Sequence, residues 1–376
     1  MQDAQPQHPA IKAGATVWQL IDSGGVGGAE RHIEMLTSCL IRQGIPTQVV
    51  LYAPHGDNPW LVQLNEAGIP VTILQNTLSS LRAALRQAPP RLLHLHGYKA
   101  GLMGRVAASI AGIPTVTTFH TGSRGGFPLW TYELADEWTS IVGGRIAVSE
   151  GIRQRLPFSS VIVPSFVPVG NPPARRPLSK RIGFVGRFSA EKRPELFCEL
   201  AERFGPIGEW HAYGDGPLHR ELKERHGARV TFHGVATDMS SVWPDLGALV
   251  ITSRSEGLPL VILEAFAHGV PVIAADVGDV RKLVRPGKTG WLFPTGDVKS
   301  AERCISDWLR LSEADRQEMG DRCWQYVTEH YSEIRHLPRI LDVYRSVGAN
   351  LGIEPASRLP TRMPAVHARI PWYRWK

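Results

Sequence analysis

Several things are scarce in this chain, and each shortage removes a class of protein. No uninterrupted apolar run approaches the roughly 18 residues that a bilayer-spanning helix requires, so no membrane-crossing helix is expected. Residues 1–12 are polar, without a basic start followed by an apolar stretch, so they do not read as a secretory signal and a cytoplasmic location is expected. Cysteine falls to four among 376 residues, Cys39, Cys198, Cys304 and Cys323. Their spacing matches neither a metal site nor a disulfide frame, and each lies in helix-patterned sequence, so they read as packed thiols. No Asp-x-Asp occurs anywhere, which removes one common seat for a divalent cation, and no short internal repeat is visible.

What is present is length and positive charge. A chain of 376 residues is comfortable as two domains, each able to bury its own core. The net charge of +7 and pI near 9.4 suggest nucleic acid until the charges are located. Residues 351–376 hold five cations, Arg358, Arg362, Arg369, Arg374 and Lys376, against Glu354; this tail therefore carries +4 and leaves only +3 to the rest. No nucleic-acid partner is expected. The tail ends Ile370-Pro-Trp-Tyr-Arg-Trp-Lys376, mixing cations with three aromatics as segments at an anionic membrane surface do, while a solvated disordered tail is the plainer alternative.

Apolar runs of strand type alternate with amphipathic stretches along the chain. The first series is Thr16-Val-Trp-Gln-Leu-Ile21, Thr47-Gln-Val-Val-Leu-Tyr52, Val71-Thr-Ile-Leu74, Leu92-Leu-His-Leu95, Thr115-Val-Thr-Thr-Phe119 and Arg145-Ile-Ala-Val148. A proline-rich break from Pro164 to Pro177 follows. The second series is Arg181-Ile-Gly-Phe-Val185, Glu209-Trp-His-Ala-Tyr213, Arg229-Val-Thr-Phe232, Ala248 to Thr252, Pro271 to Ala274 and Trp291-Leu-Phe293. This alternation predicts α/β architecture with parallel sheets. The expected division is a first domain over residues 1–167, a linker over 168–180, a second domain over 181–330, a helix over 331–350 and the tail beyond.

The tightest chemical constraint is a pair of glutamates separated by seven residues, in Glu256-Gly-Leu-Pro-Leu-Val-Ile-Leu-Glu264. An apolar strand, Ala248-Leu-Val-Ile-Thr252, precedes it; Pro259 is placed to open a helix ending near Gly269, before a second apolar run. In a strand–loop–helix–strand unit of this kind, ligands bind outside the carboxyl ends of the strands. Glu256 then lies in the ligand-facing loop and Glu264 about one and a half turns into the helix, so both can face one pocket. The helix start offers unpaired N–H groups and the positive end of a dipole, which suit a phosphate.

This segment resembles the signature of retaining GT-B glycosyltransferases, the group 1, family 4-like enzymes that use nucleotide sugars. The similarity covers the Glu-Gly-Leu-Pro turn with Gly257, Leu258, Pro259 and Leu260, the second glutamate, the Ala-Phe-Ala-His-Gly-Val-Pro-Val helix end, and Gly287-Lys-Thr-Gly-Trp-Leu-Phe293. It implies two Rossmann-like domains facing across a cleft, with the C-terminal helix crossing back to the first. It also implies that Glu256 contacts the donor sugar and Glu264 the ribose hydroxyls of a nucleoside-diphosphate sugar. One departure is visible: where the family shows Gly-Gly followed by glutamate, this chain has Gly278-Asp-Val-Arg-Lys282.

Other pieces fit the same expectation. After the first strand comes Ser23-Gly-Gly-Val-Gly-Gly-Ala-Glu-Arg31; its glycines Gly24, Gly25, Gly27 and Gly28 let backbone approach a phosphate. A dinucleotide fingerprint needs a glycine where Glu30 stands, which argues against a nicotinamide site. Arg187 and Lys192, in the family-like Gly186-Arg…Lys192 element, are expected to neutralise the departing diphosphate in place of a metal. His120, in Thr-Phe-His-Thr, resembles the histidine that approaches the transferred sugar. His94 and His96 alternate on one strand without a third ligand and read as structural. Gly287-Lys-Thr289 lacks the upstream glycine of a P-loop, Lys282 standing in its place. Gly214-Asp-Gly-Pro217 and Phe232-His-Gly-Val235 are similar to segments near the nucleotide.

The implied reaction is metal-independent sugar transfer, with retention, to a glycan or lipid-linked acceptor, in polysaccharide or glycolipid synthesis. No further cofactor is expected, and peripheral attachment to the inner membrane face would suit such an acceptor. Two rivals share the architecture: a nucleotide-sugar epimerase or hydrolase, and a non-catalytic subunit of a polysaccharide-assembly complex.

Overall fold

The computed structural model describes residues 16–120, 126–173, 179–236 and 239–352. The readings of residues 1–12, of the loop over 121–125 and of the basic tail beyond residue 352 lie outside them, as does part of the proline-rich break. The first lobe contains β1 (Val17–Ile21), α1 (Gly28–Arg42), β2 (Thr47–Leu51), α2 (Pro59–Glu66), β3 (Val71–Ile73), α3 (Leu78–Gln87), β4 (Leu92–His96), α4 (Tyr98–Ala111), β5 (Thr115–Phe119), α5 (Leu129–Thr139), β6 (Gly144–Ala147), α6 (Glu150–Arg155) and β7 (Val161–Ile162). Its seven strands run parallel in the order β3-β2-β1-β4-β5-β6-β7. Every residue of β1, β2, β4 and β5 is buried, as strands covered by helices on both faces must be.

The second lobe contains β8 (Arg181–Val185), α7 (Pro194–Phe204), β9 (Glu209–Tyr213), α8 (His219–His226), β10 (Val230–Gly234), β11 (Ala248–Ile251), α9 (Leu260–Ala267), β12 (Val272–Ala275), α10 (Val280–Leu283), β13 (Gly290–Phe293), α11 (Val298–Arg310) and α12 (Glu313–Tyr331). A single 3-10 turn, Trp243–Asp245, precedes β11. Six parallel strands stand in the order β10-β9-β8-β11-β12-β13. Both sheets reverse their winding beside the first strand, which opens a crevice at the carboxyl ends. The four cysteines are buried and unpaired.

The last helix, α13 (Glu333–Ser346), returns to the first lobe. Its Leu337, Ile340, Leu341 and Tyr344 join Val17, Leu36, Leu92 and Val116 in one apolar cluster. The crossing is pinned where the linker passes it: the amide of Val167 donates to Tyr331 O at 3.0 Å, and the amide of Glu333 donates to Val167 O at 3.2 Å. Glu333 then accepts from Arg42 Nη2 at 2.5 Å. Helix α13 is thus tied to the first lobe, and the segments on either side of the second lobe meet at Val167 and Glu333.

Candidate active site

The loops after β1, β8, β11 and β12 leave carboxyl ends of strands toward the crevice, and His120 stands just past the end of β5. The β8 and β11 loops are bonded together. The Thr252 hydroxyl donates to the carbonyls of Lys192 and Arg193 at 2.9 and 2.8 Å, and the Arg254 amide donates to Glu191 O at 2.8 Å. This brings Lys192 Nζ to 2.8 Å from both carboxylate oxygens of Glu256, which also accepts from Ser253 Oγ at 2.6 Å. The carboxylate is nearly enclosed, at 8% exposure, while Lys192 keeps 30%. A lysine so held keeps one N–H beyond the two that the carboxylate takes, while the glutamate is fixed in one orientation.

Arg187 is placed differently. Phe188, fully buried among Phe184, His219 and Phe232, anchors its neighbour and leaves the Arg187 side chain exposed. The Gly214–Gly216 turn supports the same loop: a Cβ on Gly214, whose φ is +128°, would stand 2.0 Å from Gly186 O. Lys192 is therefore bound to Glu256, whereas Arg187 is solvent-facing on the same loop; no direct contact joins the two cations.

Glu264 is the only charged residue of α9, an otherwise apolar helix packed into the second lobe. Its partner comes from the other lobe. Arg31 Nε of α1 donates to Glu264 Oε1 at 2.8 Å, and Arg31 Nη1 donates to Glu34 at 2.6 Å. Burial first, then the nearby Glu264, pushes the Glu34 carboxyl above its usual pKa, and Arg31 opposes the shift. Met35, one turn along α1, is buried in the apolar cluster of the second lobe. Arg31 and Glu34 went unassigned in the sequence reading; Arg31 belongs to the glycine-rich motif, but only the meeting of α1 with α9 reveals its partner. Proline 259 precedes α9 with no side-chain cap, so the amides at that helix start are open to an anion.

The glycine-rich loop likewise runs into α1 without a side-chain cap at Gly27. Gly25 and Gly28 have open space where a Cβ would be, whereas Gly24 lies against His55. Glu30 folds back over Gly27 and accepts from Ser23 Oγ at 2.5 Å. The N-terminal end of α1 thus carries its own acidic residue in the first turn, as the helix dipole favours.

His120 is not solitary. Its Nε2 lies 3.0 Å from His96 Nδ1, and His96 Nε2 lies 2.7 Å from Gln19 Oε1. An amide oxygen only accepts, so His96 carries its proton on Nε2, His120 donates from Nε2, and His120 Nδ1 is left as an acceptor. His94 bonds Tyr344 OH at 2.7 Å and Thr118 Oγ1 at 2.8 Å. Burial and then His32 and His94 hold His120 well below the ordinary histidine pKa; burial takes His32 to about 4. His94 and His96 are buried and bonded, and His96 has a positioning task as well, because it fixes the tautomer of His120. His32, on α1 with its ring centroid 5.0 Å from that of His120, had no signal beyond its place after Arg31.

The Gly278 departure sits inside the site. Its φ is +51°, and a Cβ there would stand 1.8 Å from Glu256 O; the Asp279 amide donates to Gly257 O at 3.2 Å. This loop braces the backbone that carries Glu256. A partly open cavity of about 260 Å³ lies elsewhere, at the opposite ends of β11 and β12 near Trp243, Gly269 and Arg316, and is lined by none of these residues. The Gly287-Lys-Thr289 decoy forms a turn in which Thr289 Oγ1 accepts from the Arg285 amide, remote from phosphate chemistry.

Comparison with known proteins gives the chain's relatives. Residues 179–310 match the family described as Glycosyl transferases group 1, and residues 26–158 match Glycosyltransferase Family 4. A GDP-mannose-dependent alpha-mannosyltransferase of Mycobacterium tuberculosis is 28% identical over 298 residues, covering 69% of this chain and 77% of the relative. A phosphatidyl-myo-inositol mannosyltransferase of Mycobacterium leprae is 25% identical over 76% of this chain and 84% of its own. Among solved structures, Anabaena HepE in complex with UDP and glucose superposes with a TM-score of 0.73 at 19% identity, over 88% of this chain and 99% of that one. With one match on each lobe and relatives aligned across both, the chain belongs to the group 1, family 4-like glycosyltransferases and has their GT-B fold.

Proposed function

We propose that this glycosyltransferase moves a sugar from a nucleoside-diphosphate donor to a glycan or lipid-linked acceptor with retention of anomeric configuration and without a metal ion, in glycan or glycolipid biosynthesis. The observation that carries the reading is the joint between the β8 and β11 loops, which fixes Lys192 against Glu256 at the crevice while Glu264 meets the first lobe through Arg31. In this reading Glu264 accepts from ribose hydroxyls, and Glu256, backed by Lys192, contacts the sugar. Arg187, Lys192, the amides of Gly257, Leu258 and Leu260 and those of the Gly24–Gly28 loop draw charge from the diphosphate. UDP and glucose in HepE, and the names of the mannosyltransferase relatives, support a nucleotide sugar as the class of donor.

The bond from the anomeric carbon to the diphosphate oxygen breaks, and its electron pair goes to the diphosphate. The acceptor hydroxyl attacks from the same face and passes its proton to that leaving oxygen. His120, held neutral with its Nδ1 free to accept, orients the sugar by hydrogen bonding rather than by charge. Closure of the lobes excludes water, which would otherwise consume the activated sugar. The basic aromatic tail would hold the enzyme at an anionic membrane where a lipid-linked acceptor resides.

Thermal-shift titration with UDP, GDP and ADP sugars identifies the donor, since a ligand at about 100 times its Kd stabilises a fold by roughly 2.7 kcal/mol. NMR of the product anomer, with and without EDTA, tests the rest. An inverted product, or activity abolished by EDTA and restored by a divalent ion, rejects this mechanism.

A further inference from the structure

Helix α5 is arranged inside out. Of its three acids, Asp136 and Glu137 are buried, the first bonded to Arg105 of α4 and the second to Arg155 at the end of α6 at 3.0 Å; Glu133 lies on the same arc. At roughly 100° per residue the opposite arc carries Trp130, Thr131, Leu134, Ala135, Trp138 and Thr139, without a charge. Trp130 is 40% exposed and Trp138 58%. Phe127, just before the helix, is 83% exposed, and Tyr132 on its flank 52%. These four are all the large aromatic side chains that stand exposed among the described residues. The surface continues through Val106 and Ile110 of the adjoining α4 and through Ile141 and Val142. A surface helix that buries its carboxylates against arginines and turns its tryptophans outward is built for a less polar neighbour than water.

We propose that the outer face of α5, with the adjoining edge of α4, is a docking surface for an anionic lipid bilayer. Trp and Tyr are the side chains favoured at the interface between headgroups and acyl chains. The charge that such a bilayer attracts stands in the sequence that follows the described residues. The described chain ends at Gly352, where Arg91 Nη1 donates to Asn350 O beside the start of β4, and Gly144 of β6 abuts Val343 and Val347 of α13. This is the end of the sheet that also carries Ile110, Ile141 and Val142. From there residues 353–376 continue with five cations and one acid. An apolar face and a basic segment are the two signals that stable peripheral attachment requires. The helix starts on the crevice side, shortly after His120, and runs away from it, so a bilayer along α5 also reaches the crevice rim. That last point rests on the lipid-linked acceptor proposed above; the docking surface does not.

The test is cosedimentation of the full chain with phosphatidylcholine vesicles, with and without phosphatidylglycerol, together with size-exclusion chromatography. Wild type is expected to sediment with the anionic vesicles and remain in solution with the neutral ones. Trp130→Ser with Trp138→Ser should weaken the anionic binding about tenfold or more. Both side chains are exposed, and an unchanged thermal shift with nucleotide sugars would show that the fold and donor site survive. Replacing the five tail cations with serine should weaken binding separately. Undiminished sedimentation of the tryptophan variant overturns the proposal. So does a wild type that ignores both vesicles, and one that runs as a dimer which the double variant dissociates would reassign the face to contact between copies. Loss of donor binding in the wild type would instead sink the proposed function while leaving the vesicle result intact.

Discussion

At the scale of single residues, the site depends on charges that hold each other. Lys192 touches both oxygens of Glu256, so Lys192→Ala removes a cation from the crevice and releases the carboxylate it fixes. A fall in kcat of about 10²- to 10³-fold is expected, the usual cost of losing one preorganised stabilising group. Glu264→Ala should act on the other quantity, weakening nucleotide binding with a smaller change in kcat. Steady-state kinetics with isothermal titration of the nucleoside diphosphate separates the two; equal losses in both parameters for both variants would contradict the division of roles. The pair of glutamates was legible in the sequence because a fixed spacing on a loop and helix fixes two directions. Their partners were not, because Ser253 aside, Lys192 and Arg31 arrive from 64 and 233 residues away.

At the scale of elements, the loops are what the tertiary structure arranges. Strand positions were readable from apolar alternation: β5, β8 and β9 run over the same residues as their apolar runs, and most others differ by a residue or two. The two-residue β7 offers no run to read. The loop after β12 departs from the family pattern in sequence, yet it braces Glu256 through Gly278, where only a residue without Cβ fits. Gly278→Ala combines a left-handed φ with a clash against a carbonyl oxygen, so a stability loss of about 1–3 kcal/mol is expected, together with lost turnover as Glu256 is displaced. Urea unfolding and kinetics on the same preparation check it; a variant with wild-type kcat would mean that this loop does not position Glu256. The histidine set makes the same point. His94 and His96 are placed by strand periodicity, but the bond from His96 to His120 exists because β4 and β5 are paired neighbours.

At the scale of the whole molecule, buried neutral histidines make stability depend on pH. His32 is lowered to about 4, His94 to about 3 and His96 well below the usual value, in each case chiefly by burial. Below about pH 6.5 the unfolded chain takes up protons that the folded one refuses, so stability falls as pH falls, by about 1.4 kcal/mol per unit for each histidine. Asp136, raised to about 6 by burial against the opposing pull of Arg105, works with the reverse sign and offsets about one of the three. Urea midpoints should therefore drop markedly from about pH 7 to about pH 5; a flat profile would mean that the cluster takes up protons without unfolding. The lobes meet at Arg31 and Glu264, a partly exposed pair worth no more than about 1 kcal/mol to stability. Arg31→Ala should leave urea midpoints nearly unchanged yet increase the radius of gyration by small-angle scattering in the absence of nucleotide. An unchanged radius would assign lobe contact to Met35 and its apolar neighbours alone.

The sequence by itself determined the two parallel sheets and the seven-residue spacing that sets Glu256 in a loop and Glu264 in a helix, because burial on both faces imposes apolar runs and a helix imposes a spacing, and both are local. Only the tertiary structure decided that Lys192 belongs to Glu256, that Arg31 reaches Glu264 from the other lobe, that His96 sets the proton of His120, and that α5 faces outward with its tryptophans. Each of these depends on which strands are neighbours and how two lobes meet, distances that no local pattern of residues encodes.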